Sequence, residues 1–106
     1  MKLKLHTQPD VPLEAESITP AVINKLKVKE VEKVKVFHGN REVNMAEFFT
    51  VTDNKNDLLE VEGDMHRIKY LGANMDGGEM RIEGDVGQHL GSAMSGGFIK
   101  VNGSTG

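Results

Sequence analysis

The sequence contains no cysteine and no tryptophan, and its aromatic residues are one tyrosine and four phenylalanines. Without cysteine the chain has no thiolate for an iron–sulfur cluster, no thiol nucleophile and no disulfide. So few aromatic side chains predict a thin hydrophobic core. The spacings His-x₃-His and Glu-x-x-His, which are typical of zinc and iron sites, are also absent, so we expect no metal bound to this chain.

Long apolar runs and an excess of basic charge are absent as well. No stretch approaches the length of a membrane span, and the segment Met1–Leu5 lacks the apolar region of a signal peptide. The formal net charge is −3, which argues against nucleic acid as a partner. The lack of cysteine fits a reducing cytoplasm, although many proteins of other compartments also lack cysteine. At 106 residues the chain has room for one small domain, or for a cap and the start of another.

Glycine, by contrast, is concentrated in a repeat, and 11 of the 12 glycines lie in residues 57–106. The string Leu71–Gly78 recurs 19 residues later as Leu90–Gly97, and Val61–Asp64 recurs as Ile82–Asp85. A third copy opens at Phe98. The first copy is two residues longer than the second, in the part that follows the Gly-Asp pair. The glycines of the structural repeat are Gly63, Gly72, Gly77, Gly78, Gly84, Gly91, Gly96, Gly97 and Gly103.

Each copy has strand periodicity and no room for a long helix. Apolar and polar residues alternate around Val61, Ile82 and Val101, and a fixed period of this length indicates stacked units. The sequence therefore predicts a mainly β fold, a right-handed parallel β-helix of about two to three coils in residues 57–106. Val61, Ile82 and Val101 would stack in its core, as would Met75 and Met94, with Gly72 and Gly91 at a corner. A hairpin meander with glycine-rich turns is the alternative.

Residues 1–56 predict a small α/β cap on the end of the coils. Strands are expected at Leu3–Leu5 and Thr50–Thr52, and Thr19-Pro20 is a helix start with a helix ending near Lys27. The stretch 29–33 is ambiguous between a helical turn and a loop. Gly39-Asn40 predicts the turn of a β-hairpin.

Several polar side chains are candidates for sites, and each has a structural interpretation. His66 and His89 fall at different places in the repeat, so the histidines are interpreted as surface residues. Asp64 and Asp85 are equivalent, and the two-residue insertion would move them apart. Turn-forming aspartates are preferred to a calcium site, because the calcium-binding β-roll pattern is absent.

The glycine pairs and the serines also lack the context of a site. Gly77-Gly78 and Gly96-Gly97 lack the lysine and the following helix of a phosphate-binding loop. The serines have no Gly-x-Ser-x-Gly context; they are Ser17, Ser92, Ser95 and Ser104. No catalytic, cofactor-binding or metal-binding residue is therefore predicted.

The iterated pattern Leu-Gly-x-x-Met-x-Gly-Gly-x-x-x-(Ile/Val)-x-Gly resembles the glycine-rich β-helix in the C subunit of formylmethanofuran dehydrogenase. The same kind of repeat is found in the C-terminal domain of the large subunit of glutamate synthase. The segments Gln8–Glu16 and Ile18–Pro20, and His38–Val43 followed by Phe48-Phe49, are similar to the opening of the dehydrogenase C subunit. Members of that family have several more coils, whereas this sequence stops at Gly106 in mid-coil. The resemblance is therefore to the N-terminal portion of such a subunit.

The resemblance implies a non-catalytic structural subunit of a cytoplasmic complex of one-carbon metabolism, related to methanogenesis. Other subunits would carry the molybdenum or tungsten pterin and the iron–sulfur centres that reduce CO₂ and attach it to methanofuran. The C subunit of a formyltransferase/hydrolase complex, which acts on formyl groups without the redox step, is an alternative. A stand-alone binding module or small enzyme that uses the β-helix face is another.

The C-terminal strand predicts a partner as well. Phe98–Val101 would present an unpaired strand edge with alternating apolar residues, which native proteins avoid. A continued polypeptide, a partner subunit or a second copy could cover it. For the isolated chain we expect a two-fold homodimer through residues 98–106.

Overall fold

The computed structural model describes residues 1–87 and 90–103, and this part of the chain is mainly β, as predicted. The strands are β1 (Lys2–Leu5), β2 (Leu13–Glu14), β3 (Lys35–His38), β4 (Arg41–Asn44), β5 (Phe49–Thr52), β6 (Leu59–Glu62), β7 (Ile68–Lys69), β8 (Asp76–Glu83) and β9 (Gly96–Asn102). The helical segments are α1 (Pro20–Ile23), α2 (Val28–Glu32) and a 3₁₀ turn at Met45–Glu47.

The strands form two sheets, with the orders β5-β1-β6-β8-β9 and β4-β3-β2-β7. Strands β1, β6, β8 and β9 run parallel to their neighbours in this order, and β5 is antiparallel to β1. Ile82 pairs with Val61 on one side and with Val101 on the other, so the predicted ladder of these three residues is present. Parallel pairing excludes a hairpin meander for β6, β8 and β9, because hairpin partners are antiparallel.

The two extra residues of the first copy lie after this ladder. Met65 still bridges to Val86, so the insertion falls between Met65 and Leu71. There the chain forms β7, whose Ile68 pairs in parallel with Leu13 of β2. The expectation that the insertion separates Asp64 from Asp85 was wrong, because the backbone pairing on both sides of these residues holds them in register.

One hydrophobic core extends through both halves of the chain. On the five-stranded sheet, the core-facing side chains of Leu3, Leu59 and Val61 are 0% exposed, as are Met80 and Ile82. Burying each such side chain stabilises the fold by roughly 1.5–3 kcal/mol. Residues of the helices and loops pack against the same cluster: Ile18, Ile23, Val31 and Met45. Toward β9 the burial decreases, and Met94, Ile99 and Val101 are only partly buried.

The helical segments are short and start where the sequence predicts. Thr19 is the N-cap of α1, and its Oγ1 accepts a hydrogen bond from Val22 N at 3.4 Å. The helix ends at Ile23, earlier than predicted, because the next turn tightens and Lys27 is extended. The ambiguous stretch forms α2, where Lys27 N donates to Glu30 Oε1 at 2.9 Å.

The predicted hairpin is present between β3 and β4. His38 and Arg41 pair across the two-residue loop Gly39-Asn40, and Gly39 has φ +65°. Positive φ at the first loop position alone is the pattern of a type II′ turn, in which glycine is preferred. No helix among the described residues is long and apolar enough to cross a bilayer.

Candidate assembly edge

Strand β9 lies at the edge of the larger sheet and pairs, within the described residues, with β8 alone. Asn102 O accepts a hydrogen bond from Gly84 N at 3.1 Å, so the backbone groups of Asn102 face β8. Because backbone groups alternate in direction along a strand, those of Ile99 and Val101 face the open side. An open row of N–H and C=O groups is a template for another strand.

The side chains on β9 add apolar surface to this edge. Phe98 is 58% exposed, the highest exposure of any large hydrophobic side chain in the described part of the chain. Ile99 and Val101 point inward and are half-buried against the end of the core. Lys100 and Asn102 are exposed on the opposite face, and Asn102 Nδ2 donates to Glu83 Oε1 at 2.9 Å. We name residues 96–103 the assembly edge.

A first column of repeat glycines brings the backbones of successive layers into contact. Gly63 and Gly84 have φ values of +128° and +140°. A Cβ placed on Gly84 would lie 1.9 Å from Gly63 O, and a Cβ on Gly103 would lie 2.1 Å from Gly84 O. Neither gap can hold a carbon atom, so each layer requires glycine where it meets the layer before it.

The glycine pairs form a second column. Gly78 and Gly97 have φ values of +81° and +85°, which L-residues with a side chain rarely adopt. A Cβ on Gly97 would lie 2.9 Å from Gly77 C and O, and one on Gly96 would lie 2.6 Å from Asp76 O. Gly77 differs, because no atom lies within 4 Å of a Cβ placed on it.

A third column forms the corner at Gly72 and Gly91, with φ values of +69° and +64°. Gly91 N donates to Leu71 O at 2.8 Å, which joins the two layers. Two residues later in each copy, Asn74 and Ala93 also have positive φ, +59° and +58°. Asparagine tolerates this conformation better than alanine does, so the second copy carries strain that the first avoids.

At the other end of the stack, the N-terminal residues take the positions of a preceding layer. The Cβ of Leu5 lies 2.9 Å from a Cβ placed on Gly63, and the Cβ of Pro20 lies 2.7 Å from one on Gly78. Gly72 N donates to Ile18 O at 3.1 Å, as Gly91 N donates to Leu71 O. The sequence did not predict that these three residues contact the repeat glycines, because no local pattern relates them to the repeat.

The titratable side chains form isolated pairs. Asp64 Oδ1 accepts from His66 N at 3.1 Å and lies 2.9 Å from His66 Nδ1. The hydrogen bond that Asp64 Oδ1 accepts from the backbone N–H two residues later is typical of a turn residue, the role predicted for Asp64. The hydrogen bond from His66 is the main cause that lowers the pKa of the Asp64 carboxyl below its usual value.

A second pair joins the N-terminal segment to the hairpin. His38 Nε2 lies 2.7 Å from Asp10 Oδ1, and this hydrogen bond is the main cause that lowers the pKa of Asp10. The His38 ring also packs edge-on against Phe48 at 5.0 Å between centroids. His6 Nε2 contacts Ala46 O at 3.1 Å.

Nothing in the described residues converges into a chemical site. They contain no group of three or more acidic or histidine side chains that could hold a metal, and no pocket. Ser17 Oγ donates to Lys35 O at 2.8 Å and is a structural contact. His89 and Ser104 lie outside the described residues, as do residues 104–106 of the predicted dimer strand.

Comparison with known proteins supports the resemblance. No protein-family model matches the chain. The C subunit of molybdenum-containing formylmethanofuran dehydrogenase 1 from Methanothermobacter marburgensis is 40% identical over 83 residues, which are 76% of this chain and 21% of that protein. The C subunit of tungsten-containing formylmethanofuran dehydrogenase 2 from Methanothermobacter wolfeii is 36% identical over 89 residues, 79% of this chain and 33% of that protein.

The resemblance to the C subunit of formylmethanofuran dehydrogenase is confirmed. This chain spans only about a fifth to a third of the length of these curated relatives. A chain of one solved structure is similar to this chain over its whole length. That structure is the X-ray crystal structure of the formyltransferase/hydrolase complex (FhcABCD) from Methylorubrum extorquens in complex with methylofuran. One of its chains aligns with a TM-score of 0.88 and 31% identity, covering 100% of this chain and 40% of that chain.

Proposed function

We propose that this chain is part of a non-catalytic structural subunit of a formylmethanofuran dehydrogenase complex, and that the assembly edge is one of its contact surfaces. The observation that supports this most directly is the similarity to the dehydrogenase C subunit, which extends over three quarters of the chain. The absence of a convergent acid, base or metal-ligand set among the described residues is consistent with a structural role. In this proposal the pterin metal and the iron–sulfur centres belong to other subunits, and the complex is cytoplasmic.

The proposal includes an architecture. Residues 57–106 are the start of a right-handed parallel β-helix, and residues 1–56 are the cap on its first coil. The parallel register of β6, β8 and β9 and the glycine columns support the helix. The contacts that Leu5, Ile18 and Pro20 make with those glycine columns support the assignment of residues 1–56 as a cap. In this architecture the repeat glycines are structural residues, and four of them let the backbones of successive layers touch: Gly84, Gly96, Gly97 and Gly103.

A formyltransferase/hydrolase complex is the second candidate, because the similar solved structure is a complex of that kind. The two candidates differ in the chemistry of the partner subunits and not in this chain. Metal analysis of the purified complex separates them, since molybdenum or tungsten together with iron indicates the dehydrogenase. A stand-alone binding module remains a third candidate, which requires activity or ligand binding by the isolated chain.

Co-purification tests the proposal. A tagged chain is co-expressed with the remaining subunits of a formylmethanofuran dehydrogenase, and the retained proteins are identified by mass spectrometry. We expect stable retention of the large subunits by the wild type and a loss of retention in Phe98→Glu at the assembly edge. Phe37→Glu is the matched control, because Phe37 is also exposed, at 45%, but lies on β3 of the other sheet. A wild-type chain that retains no other protein of the complex would refute the assembly role. Equal retention by both variants would show that the assembly edge takes no part in it.

For the isolated chain we propose self-association through residues 98–106, of which the structure describes 98–103. An exposed phenylalanine on an open strand edge favours this. Light scattering over the micromolar concentration range should show a dimer that Phe98→Glu weakens and Phe37→Glu does not. A monomer throughout that range, with slow amide exchange at Ile99 and Val101, would contradict the proposal.

A further inference from the structure

We infer that Arg81 and Lys100 bind a carboxylate side chain of a partner subunit, which lies on the outward face of the five-stranded sheet and packs an apolar group on Phe98. This inference rests on the proposed function and deepens it, because it states the chemistry of the partner surface. Side chains on a sheet face stand roughly perpendicular to the backbone hydrogen bonds. The contact is therefore independent of any strand that pairs with the backbone of β9.

Two cationic side chains lie directly opposite each other on this face. Arg81 of β8 pairs in register with Lys100 of β9, and neighbouring strands lie about 4.8 Å apart. We name these two residues the cationic pair. Like charges directly opposite each other in a sheet are destabilising, so an anion bound between the two residues would offset their repulsion.

The nearest carboxylates of the chain itself do not bind the cationic pair. Glu60 pairs with the arginine across β6 and β8, but its Oε1 accepts a hydrogen bond from Asn54 Nδ2 at 2.9 Å. Glu83 Oε1 accepts from Asn102 Nδ2, also at 2.9 Å. Glu79 Oε2 lies 3.9 Å from the guanidinium Nη2, beyond hydrogen-bonding distance. The positive charge is therefore only weakly compensated within the chain.

The donors of the cationic pair are correspondingly free. A guanidinium has five N–H donors in a planar fork, and that of Arg81 makes no hydrogen bond to any described residue. Its Nε is buried, whereas 38% of the side chain is exposed. Lys100 is exposed and forms no ion pair within the described part of the chain. Arginine binds carboxylates through parallel N–H bonds, so an aspartate or glutamate fits these donors.

An exposed apolar side chain lies beside the cationic pair. Phe98 is on the same face of β9, two residues before Lys100, and is 58% exposed. Two residues along a strand span about 6.6 Å, so one partner segment can contact both. Phenylalanine and arginine are both enriched in protein–protein interfaces. A small anion would leave Phe98 exposed, and the described residues form no pocket for a larger ligand. These observations favour a protein partner.

Opposite effects on stability and on partner binding test the inference. Lys100→Glu places a carboxylate opposite Arg81, so the Tm of the isolated chain should rise by about one degree or more. The same variant should reduce retention of the partner subunits in the co-purification by about tenfold or more, because it repels the partner carboxylate. Lys33→Glu is the matched control. It makes the same charge change at an exposed lysine that follows α2, which packs on β5 at the opposite edge of the sheet.

A zero-length cross-linker identifies the occupant. A carbodiimide joins a carboxylate and a lysine amine in direct contact as an amide, and is itself hydrated to a urea. Peptide mapping of the cross-linked complex should find Lys100 joined to an aspartate or glutamate of another subunit. Lys100→Arg should retain the partner subunits and lack this cross-link.

Equal retention by Lys100→Glu and Lys33→Glu would overturn the inference, and so would a Tm that falls together with retention, which indicates a damaged fold. A cross-link of Lys100 only within this chain or to a second copy would exclude a partner subunit as the occupant. Wild-type retention without the Lys100 cross-link would refute this inference and leave the proposed function intact. A wild-type chain that retains no other subunit would refute both.

Discussion

Replacing Gly84 with alanine should destabilise the fold strongly, and the structure allows the loss to be estimated. The residue has φ +140°, and its Cβ would lie 1.9 Å from Gly63 O. Positive φ at a residue with a side chain costs about 1–2 kcal/mol. Separating the two packed backbones costs about 1–3 kcal/mol more, because the obstacle is a carbonyl and not the end of a flexible side chain.

Part of this loss is offset in the unfolded chain. Alanine has less conformational freedom there than glycine, which stabilises the folded state by about 0.4–1 kcal/mol. The expected net loss for Gly84→Ala is therefore about 1–4.6 kcal/mol. In a domain of about 100 residues each kcal/mol changes Tm by about 4–8 °C, so Tm should fall by about 4–37 °C.

The matched control is Gly77→Ala in the same repeat. Gly77 has no positive φ, and no atom lies within 4 Å of a Cβ placed on it, so the Tm of this variant should equal or slightly exceed that of the wild type. Thermal and urea unfolding followed by circular dichroism measure both variants. A Gly84→Ala protein with the same Tm as the Gly77→Ala protein would refute the close contact between Gly84 and Gly63 O. It would also refute the requirement for glycine in that column.

Four further outcomes are expected. Gly97→Val should lower Tm by more than ten degrees or so, because φ is +85° and the nearest backbone atoms are 2.9 Å from its Cβ; a Tm within a degree or two of wild type would contradict this. Ala93→Asn should raise the free energy of unfolding by a few tenths of a kcal/mol or more in urea titrations, since asparagine tolerates the positive φ at that corner. The Asp10 and Asp64 carboxyls have folded-state pKa values below the usual 3.8, so they stabilise the fold above that pH and lose this effect as pH falls through the folded values. Wild type should therefore have a higher Tm than an Asp10→Asn, Asp64→Asn double variant near neutral pH, and this difference should disappear in strong acid. A Tm difference that grows on acidification would contradict the lowered folded-state pKa values. Elemental analysis of the isolated chain after dialysis should find no stoichiometric metal, because its sequence has neither cysteine nor a metal-ligand spacing.

The repeat could be predicted from the sequence because its signals are local. Alternation around Val61, Ile82 and Val101 identifies three strands, and the glycine two residues after each of them places the strands in one register. The Gly39-Asn40 turn and the Thr19-Pro20 helix start are also local, since each depends on the conformational preference of one or two residues. These features agree with the structure even where an element ends earlier than predicted.

The assembly edge could be predicted only in part. The strand at Phe98–Val101 follows from the alternation of its residues, whereas its position beside β8 at the edge of the described sheet is a finding of the structure. The direction of its free backbone groups does not follow from the sequence, because that depends on which residues of β8 it pairs with. The contact of Gly84 with Gly63 O could not be predicted either, because it is a distance between two layers. The recurrence of glycine indicated only that some positions in the repeat leave no room for a side chain.

By itself, the sequence determined the repeated β units and their 19-residue period, and it indicated that glycine is needed where the units meet. Only the tertiary structure decided that β1 lies beside β6 as an earlier layer, and that Leu5, Ile18 and Pro20 contact the first glycines of the three columns. It also decided that the two-residue insertion becomes β7 and pairs with β2. The physical reason is that a parallel neighbour in a sheet comes from a distant part of the chain. Its choice depends on the burial of a shared core and on backbone pairing, which leave no periodic signal in either segment.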